Sequence, residues 1–105
     1  MAVDLTPEEV LARLEVAEPP RIVDVRTPGE YAGRHIPGAL LIPIDEFAAR
    51  VQELDPEEDL VVVCEHGVRS AAAAGYLTEL GYRRCANMRR GMCAWRGPVK
   101  AGMDP

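Results

Sequence analysis

Short apolar runs alternate along the chain with segments of helical periodicity. The clearest run, Leu60-Val61-Val62-Val63, is mostly β-branched, as expected for a strand that is covered on both faces. Residues 22–25, 39–42 and 85–88 are three further predicted strands. Strands that alternate with helices predict an α/β fold, in which a parallel sheet carries helices on both faces.

Three helices are predicted from their start and stop signals. Residues 6–15 begin with Thr6-Pro7-Glu8-Glu9, which provides a capping box and a proline at the first helical position. Asp45 is the predicted cap of a short helix that runs through Leu54. Residues 70–80 form an alanine-rich helix that ends at Gly81. A short helix is also expected over residues 92–95.

Length and charge restrict the function classes. The chain has 105 residues, 48% of them hydrophobic, which predicts one compact domain over residues 1–105. Its tail, from about residue 97, is rich in proline and glycine and is expected to be loose. The net charge of −5 argues against nucleic-acid or membrane-surface binding. Because the start lacks a signal-peptide pattern and no apolar run approaches the ~20 residues of a membrane span, we expect a cytoplasmic protein.

The cysteines do not form a metal-binding or redox pattern. Cys64, Cys85 and Cys93 include no Cys-x-x-Cys pair, and the two histidines do not complete a metal site. We therefore expect no metal. Cys85 and Cys93 are expected to be small buried residues.

The segment Cys64-Glu65-His66-Gly67-Val68-Arg69-Ser70 lies between a buried strand and a helix. Ligands of open α/β sheets bind beyond the carboxyl ends of the strands, where Cys64 is placed. Gly67 lets the loop curl, so that amides at the helix start can converge on one anion. These amides, with Arg69 nearby, would lower the pKa of the thiol. We therefore predict an exposed thiolate nucleophile at Cys64, the alternative being that Cys64 is simply the last buried residue of its strand.

Four segments in order resemble the single-domain rhodaneses, which are sulfurtransferases. They are Val23-Asp24-Val25-Arg26 followed by Glu30-Tyr31, then His35-Ile36-Pro37-Gly38-Ala39, then Cys64-x-x-Gly67-x-Arg69-Ser70, and finally Gly91-x-x-Ala94-Trp95. The resemblance implies a three-layer fold with a central five-stranded parallel sheet. It also implies that Cys64 takes a sulfane sulfur from a donor such as thiosulfate and passes it, through a persulfide, to an acceptor such as cyanide or a thiol. The implied cycle needs no metal and no organic cofactor.

Two other functions are considered for the same loop. One is a sulfur-carrier or interaction module, which a partner protein loads and unloads and which has little activity with thiosulfate. The other is a phosphatase or arsenate reductase, since the family contains both. Protein phosphatases use Cys-x5-Arg, whereas here Arg69 follows Cys64 after four residues. The shorter loop favours a single sulfur over a phosphate.

The predicted site has Cys64 as its catalytic residue. The predicted substrate-binding residues are the rest of the loop: Glu65, His66, Gly67, Val68, Arg69 and Ser70. Two residues are assigned supporting roles. Asp24 is expected to meet Arg69 or the loop amides, and Arg90 stands where family members often have glycine, at the mouth of the site, as a possible anion contact or a solvated charge.

Glu65 is the main departure from the common pattern. Its carboxylate would repel thiosulfate and disfavour the thiolate if it points inward, and would be harmless if it points into solvent. If it points inward, a protein persulfide or a neutral donor is favoured. Arg26 and Glu30 are expected to be surface or supporting charges. His35 is expected to fix a turn, and Trp95 to anchor the core.

Overall fold

The computed structural model describes residues 2–105. Five parallel strands form one sheet in the order β1-β5-β4-β2-β3. The strands are β1 (Val3–Leu5), β2 (Arg21–Asp24), β3 (Leu40–Leu41), β4 (Leu60–Val63) and β5 (Cys85–Met88). The predicted α/β fold with a five-stranded parallel sheet is thus confirmed. Four strands lie at the predicted apolar runs, whereas β1 was not located from the sequence.

The helices are α1 (Pro7–Leu14), α2 (Pro28–Gly33), α3 (Phe47–Arg50) and α4 (Val68–Glu79). The predicted capping box at the start of α1 is present. Asp45, the predicted cap of the third helix, instead lies inside a 3-10 turn, and residues 44–53 form a 3-10 turn, one α-helical turn and a second 3-10 turn. Within residues 2–105, no helix has the length and apolar character to cross a membrane.

The start of α4 differs from the prediction in a way that matters for the site. The helix begins at Val68, two residues before the predicted Ser70, because Gly67 takes a left-handed conformation with φ 87° at the cap position. Glycine adopts this conformation at little cost. Ser70 therefore lies in the first helical turn, where backbone amides have no partner inside the helix.

Side chains on the two faces of the sheet form two separate apolar clusters, which gives the fold three layers. Alternation along β4 sends Leu60, Val62 and, one residue beyond the strand, Cys64 to the face that α3 and α4 cover. Val61 and Val63 point to the opposite face, which α1 and α2 cover. This period of two residues directs the Cys64 side chain towards the helix that follows it.

The C-terminal tail is fixed by hydrogen bonds, where a loose segment was expected. His35 and Lys100 exchange backbone hydrogen bonds of 2.9 and 2.8 Å, and the amide of Gly102 donates to the carbonyl of Ala32. The buried His35 ring stacks on Tyr31 and has its Nε2 2.9 Å from the Asp104 carbonyl oxygen. The proline and glycine content did not reveal these partners, which come from α2 and the residues just after it.

Candidate active site

The sulfur of Cys64 lies just beyond the carboxyl end of β4, inside the curled loop that starts α4. The backbone amide of Gly67 donates to Sγ at 3.1 Å, and that of Ser70 donates at 3.3 Å. The Ser70 hydroxyl oxygen is 3.2 Å from the same sulfur. Three polar groups of the loop and the first helical turn thus surround one sulfur atom.

These contacts change the acidity of the thiol. Burial raises the pKa of Cys64, but hydrogen bonds from the Ser70 hydroxyl, when its proton points at Sγ, and from the amides of Ser70, His66 and Gly67 lower it by more. The net pKa lies below the ordinary value of a cysteine thiol. A lowered pKa increases the fraction of thiolate, which is the nucleophilic form.

The accessibility of the sulfur is lower than predicted. Cys64 is 1% exposed, so the expectation of an exposed thiolate is wrong. The alternative, that Cys64 is simply the last buried residue of its strand, is correct about the burial. It does not account for the amides that point at Sγ. Attack on a donor therefore requires a small, protruding sulfur group or a local opening of the loop.

Two glycines allow the loop after Cys64 to lie against the segment after β5. A Cβ atom on Gly67 would stand 2.9 Å from the backbone nitrogen of Arg90. One on Gly91, whose φ is 66°, would overlap the carbonyl oxygens of Cys64 and Glu65. The same two carbonyls accept hydrogen bonds of 2.8 and 3.0 Å from the amides of residues 92 and 93. The segment after β5 thereby fixes the path of the backbone at Cys64 and Glu65.

Arg26 joins the end of β2 to the loop through two carboxylates. Its Nη2 lies 2.9 Å from Asp24 Oδ2, and its Nη1 lies 3.1 Å from Glu65 Oε1. Arg26 is thus buried with an ionic partner in the interior, which excludes a surface charge and agrees with the supporting role that was the other expectation. Asp24 was expected to meet Arg69 or the loop amides, but its carboxylate contacts Arg26 instead and supports the loop through it. Glu65 is partly buried and held by the guanidinium.

Arg69 is the second cation of the site, and it too is paired. Its Nη1 and Nη2 donate to the two carboxylate oxygens of Glu30 at 2.9 and 3.1 Å. This bidentate contact lowers the pKa of Glu30 to about 2. Arg26 and Arg69 therefore both have much of their charge balanced by carboxylates.

The match to known proteins covers nearly the whole chain. Residues 6–98 match the family described as "Rhodanese-like domain". The chain belongs to this family. A protein named "Sulfurtransferase" from Allochromatium vinosum is 38% identical over 90% of this chain and 89% of its own length. A protein named "Thiosulfate sulfurtransferase GlpE" from Pseudoalteromonas translucida is 35% identical over 70% of each chain.

Solved structures of rhodanese-like domains share this fold. The crystal structure of a rhodanese-like domain protein from Staphylococcus aureus superposes with a TM-score of 0.88 at 35% identity, covering 94% of this chain and 97% of that one. The agreement extends beyond the sheet, since nearly all of both chains is included. The resemblance carried by the four sequence segments is therefore confirmed at the level of the family and the fold.

The remaining predicted residues of this rhodanese-like site lie at its surface. His66 and Val68 are exposed, Val68 at 75%. The side chain of Arg90 is also exposed, and its nearest acidic group is Glu8, with 3.6 Å between Nη2 and Oε1. It thus corresponds to the solvated-charge alternative. Cys93 is exposed, contrary to the prediction, and its thiol donates to the carbonyl of Arg90 at 2.9 Å.

Sequence reasoning missed two residues that belong to the polar surroundings of the sulfur. Asn87 of β5 is buried and accepts a 2.5 Å hydrogen bond from the Ser70 hydroxyl through Oδ1. Its Nδ2 donates to Asp4 Oδ1 at 3.2 Å. One signal was available, because an asparagine inside a predicted buried strand needs polar partners. Cys85, by contrast, is buried in the core as predicted.

Proposed function

We propose that this rhodanese-like domain is a sulfurtransferase that carries a sulfane sulfur as a persulfide on Cys64. The observation that supports this most strongly is the convergence of the Gly67 and Ser70 amides on Sγ, at 3.1 and 3.3 Å. Amides held in this way stabilise negative charge without having to reorganise during the reaction. The family membership and the names of the relatives point in the same direction.

The reaction divides into two half-reactions. In the first, the Cys64 thiolate attacks the outer sulfur of thiosulfate, a sulfur–sulfur bond forms, and sulfite leaves with the electron pair of the broken bond. In the second, cyanide or a thiolate attacks the outer sulfur of the persulfide and regenerates the Cys64 thiolate. Each half-reaction transfers one sulfur and conserves charge. Covalent catalysis of this kind predicts ping-pong kinetics.

The size of the loop suits this cargo. Four residues separate Cys64 from Arg69, and the amides converge on a single atom. A persulfide adds one sulfur and keeps one negative charge, so the same amides serve the thiolate and the persulfide. Arg69 adds positive potential near the loop, reduced by its contact with Glu30.

The experiment is a mass measurement of the intact protein after incubation with thiosulfate. We expect the wild type to gain one sulfur atom and the Cys64→Ala variant to gain none. Cys93→Ala is the matched control, because it removes an exposed thiol and leaves Cys64 in place; it should load like the wild type. Failure of the wild type to gain sulfur from thiosulfate or from any other sulfane donor would contradict the proposal.

A second candidate is a sulfur carrier that receives its sulfur from a partner protein. The pairing of Arg26 with Glu65 and of Arg69 with Glu30 favours it, because a dianion is attracted weakly by cations that are already balanced. A protein persulfide would not need that attraction. Negligible turnover of thiosulfate and cyanide, with rapid loading by a cysteine desulfurase, would select this function over the first.

Phosphatase or arsenate reductase activity is the least supported alternative. A phosphate needs a wider cradle than one sulfur, and the loop is one residue shorter than Cys-x5-Arg. We expect no hydrolysis of an aryl phosphate and no reduction of arsenate. Turnover of either substrate that is lost in Cys64→Ala would reverse this ranking.

A further inference from the structure

A line of hydrogen-bonded side chains connects the Cys64 sulfur to a carboxylate at the edge of the sheet. It runs from Sγ to the Ser70 hydroxyl (3.2 Å), from that hydroxyl to Asn87 Oδ1 (2.5 Å), and from Asn87 Nδ2 to Asp4 Oδ1 (3.2 Å). Ser70 and Asn87 are buried, so solvent does not readily replace these partners. Asp4 belongs to the exposed edge strand β1.

The carboxylate at one end determines the orientation of the amide in the middle. An ionised carboxylate only accepts hydrogen bonds, so Asn87 must turn its NH2 group towards Asp4. The amide oxygen then faces Ser70, and this oxygen also only accepts. A hydroxyl has a single proton, and the 2.5 Å contact directs that proton to Asn87.

We infer that Asp4 and Asn87 are positioning residues that draw the hydroxyl proton of Ser70 away from the Cys64 sulfur. In this arrangement the oxygen of Ser70 presents lone pairs to Sγ, so it accepts from a thiol but repels a thiolate. The Gly67 and Ser70 amides favour the thiolate. The hydroxyl favours the thiol while its proton points at Asn87, and it lowers the pKa of Cys64 only when that proton turns back to the sulfur. The inference concerns the same sulfur as the proposed function and deepens it.

When the Ser70 proton turns back to the sulfur, the contact between Asn87 and Asp4 becomes unfavourable. Once Ser70 donates to Sγ, Asn87 satisfies the hydroxyl oxygen only by rotating its NH2 group towards it. The amide oxygen would then face the Asp4 carboxylate, and two acceptors would oppose each other. The charge of Asp4 therefore acts on the reactivity of Cys64 through two intervening side chains.

Other charged groups lie near Cys64 and near Asp4, and their influence on the thiol must be distinguished from that of the hydrogen-bonded line. Near the loop these groups include Arg69, which is paired with Glu30, and Glu65, which is paired with Arg26. They also include the exposed His66, and Arg90, whose backbone lies against Gly67 and whose side chain is paired with Glu8. Near Asp4 the charged neighbour is Glu79 of α4, which lines the same surface hollow. Glu79 adds negative charge at this place without belonging to the hydrogen-bonded line.

The test is the pH dependence of the alkylation of Cys64 by iodoacetamide, with peptide mapping to separate Cys64 from Cys93. Asp4→Asn supplies an amide that can accept as well as donate, so Asn87 becomes free to rotate. We expect Asp4→Asn to raise the alkylation rate at pH 6 by about three- to tenfold, with the rates converging at high pH, since one pKa unit is tenfold in thiolate.

Two controls distinguish the hydrogen-bonded line from a simple change of charge. Glu79→Gln removes one negative charge from the same hollow and should leave the rate at pH 6 within about twofold, because exposed charges act weakly at this range. In a Ser70→Ala background, Asp4→Asn should have no further effect, because the hydroxyl that links the two ends is gone.

Equal changes in Asp4→Asn and Glu79→Gln, a slower rate in Asp4→Asn, or an effect that survives in Ser70→Ala would overturn the inference. Alkylation requires no sulfur transfer. A protein that gains no sulfur from any donor, and so fails the proposed function, can still show the predicted pH profiles.

Discussion

Arg26 and Asp24 form an ion pair that is buried at the end of β2. Nε and Nη2 of the guanidinium donate to both carboxylate oxygens, at 2.9–3.2 Å, and the two residues are 2% and 0% exposed. Through Arg26 the pair also holds Glu65, which lies at the start of the loop after Cys64. Two charges this deeply buried are tolerated only because each satisfies the other.

Breaking this ion pair should remove a large part of the protein's free energy of unfolding. Asp24→Asn leaves Arg26 without its main counter-charge, so we expect a loss of about 3 kcal/mol in the free energy of unfolding, out of a typical ~5–15 kcal/mol. Urea denaturation measures it. The control is Glu58→Gln, which removes a half-exposed partner of Arg21 and should cost less than about 1 kcal/mol.

A double replacement sharpens this prediction. Asp24→Leu with Arg26→Met removes both charges, and should cost less than Asp24→Asn alone if the penalty comes from an uncompensated charge. A larger loss in the double variant would contradict the uncompensated charge as the source of the penalty, and a loss below about 1 kcal/mol in Asp24→Asn would show that the pair contributes little.

Neutralising Glu65 should favour an anionic donor. Glu65→Gln keeps the side-chain length and a hydrogen-bond acceptor for Arg26, but makes the potential near the loop more positive by one charge. We expect kcat/KM for thiosulfate to rise about two- to fivefold at low salt, with the gain shrinking as salt is added. Steady-state kinetics at two ionic strengths measure both effects.

The matched control for this change is Glu57→Gln. It removes the same charge from the connection that precedes β4, at the opposite end of that strand from Cys64. It should leave the thiosulfate kinetics unchanged. An equal rise in both variants, or a fall in Glu65→Gln, would mean that Glu65 does not oppose the donor locally.

The backbone at Arg90 is strained. Its φ of 63° is left-handed, and a residue with a Cβ pays roughly 1–2 kcal/mol for that conformation, whereas glycine does not. Arg90→Gly should therefore stabilise the protein by about 1 kcal/mol and raise Tm by roughly 4–8 °C, as judged by calorimetry. The lost contact with Glu8 is between two exposed side chains and offsets little of this.

Arg89→Gly is the control for the added flexibility of glycine. Among residues 2–105 only Arg90 combines a side chain with a positive φ. Arg89→Gly therefore releases no backbone strain, and we expect it to lower the free energy of unfolding by about 0.5–1 kcal/mol. If both glycine variants lose stability, the strain at Arg90 is not released by removing its side chain.

Stability should also depend on pH through Glu30. Its pKa is lowered from 4.5 to about 2 by the hydrogen bonds and charge of Arg69, with help from the Thr27 amide. A carboxylate whose folded pKa is depressed contributes stability above the unfolded pKa and loses it as pH falls through the folded one. The contribution is therefore complete above about pH 5 and disappears between about pH 4.5 and 2.

Comparing wild type with Glu30→Gln isolates this effect, since glutamine can keep the contact with the Thr27 amide. With both side chains one-third exposed, we expect the wild type to be more stable by about 1 kcal/mol at pH 7, and the two proteins to be equal near pH 2. Urea denaturation at pH 7, 4 and 2.5 provides the values. A difference that does not change with pH would contradict the assignment.

The sequence predicted the parts of the fold that depend on local patterns. The β-branched run of β4 and the alanine-rich α4 are contiguous, and the order strand, loop, helix places Cys64 at the sheet edge by topology alone. β1 was missed because three residues with one buried position carry almost no periodic signal. Its place is decided by pairing with β5, from the other end of the chain.

The missed features of the site are contacts between distant residues. Arg69 and Glu30 are 39 positions apart, and Asn87 and Asp4 are 83 apart, so no local pattern relates them. The burial of Arg26 goes against the usual exposure of arginine and becomes reasonable only when Asp24 is seen beside it. Composition and spacing therefore place Cys64 at the end of β4, but they do not reveal the ion pairs that form around its loop.

The close fit between the loop of Cys64 and the segment after β5 limits how this site could evolve. Gly67 has no room for a methyl group on the side of Arg90, and Gly91 has none on the side of Cys64. A side chain added at either glycine would therefore require the backbone of the other segment to move. Changes in these two regions of the chain are coupled, although the regions are distant in the sequence.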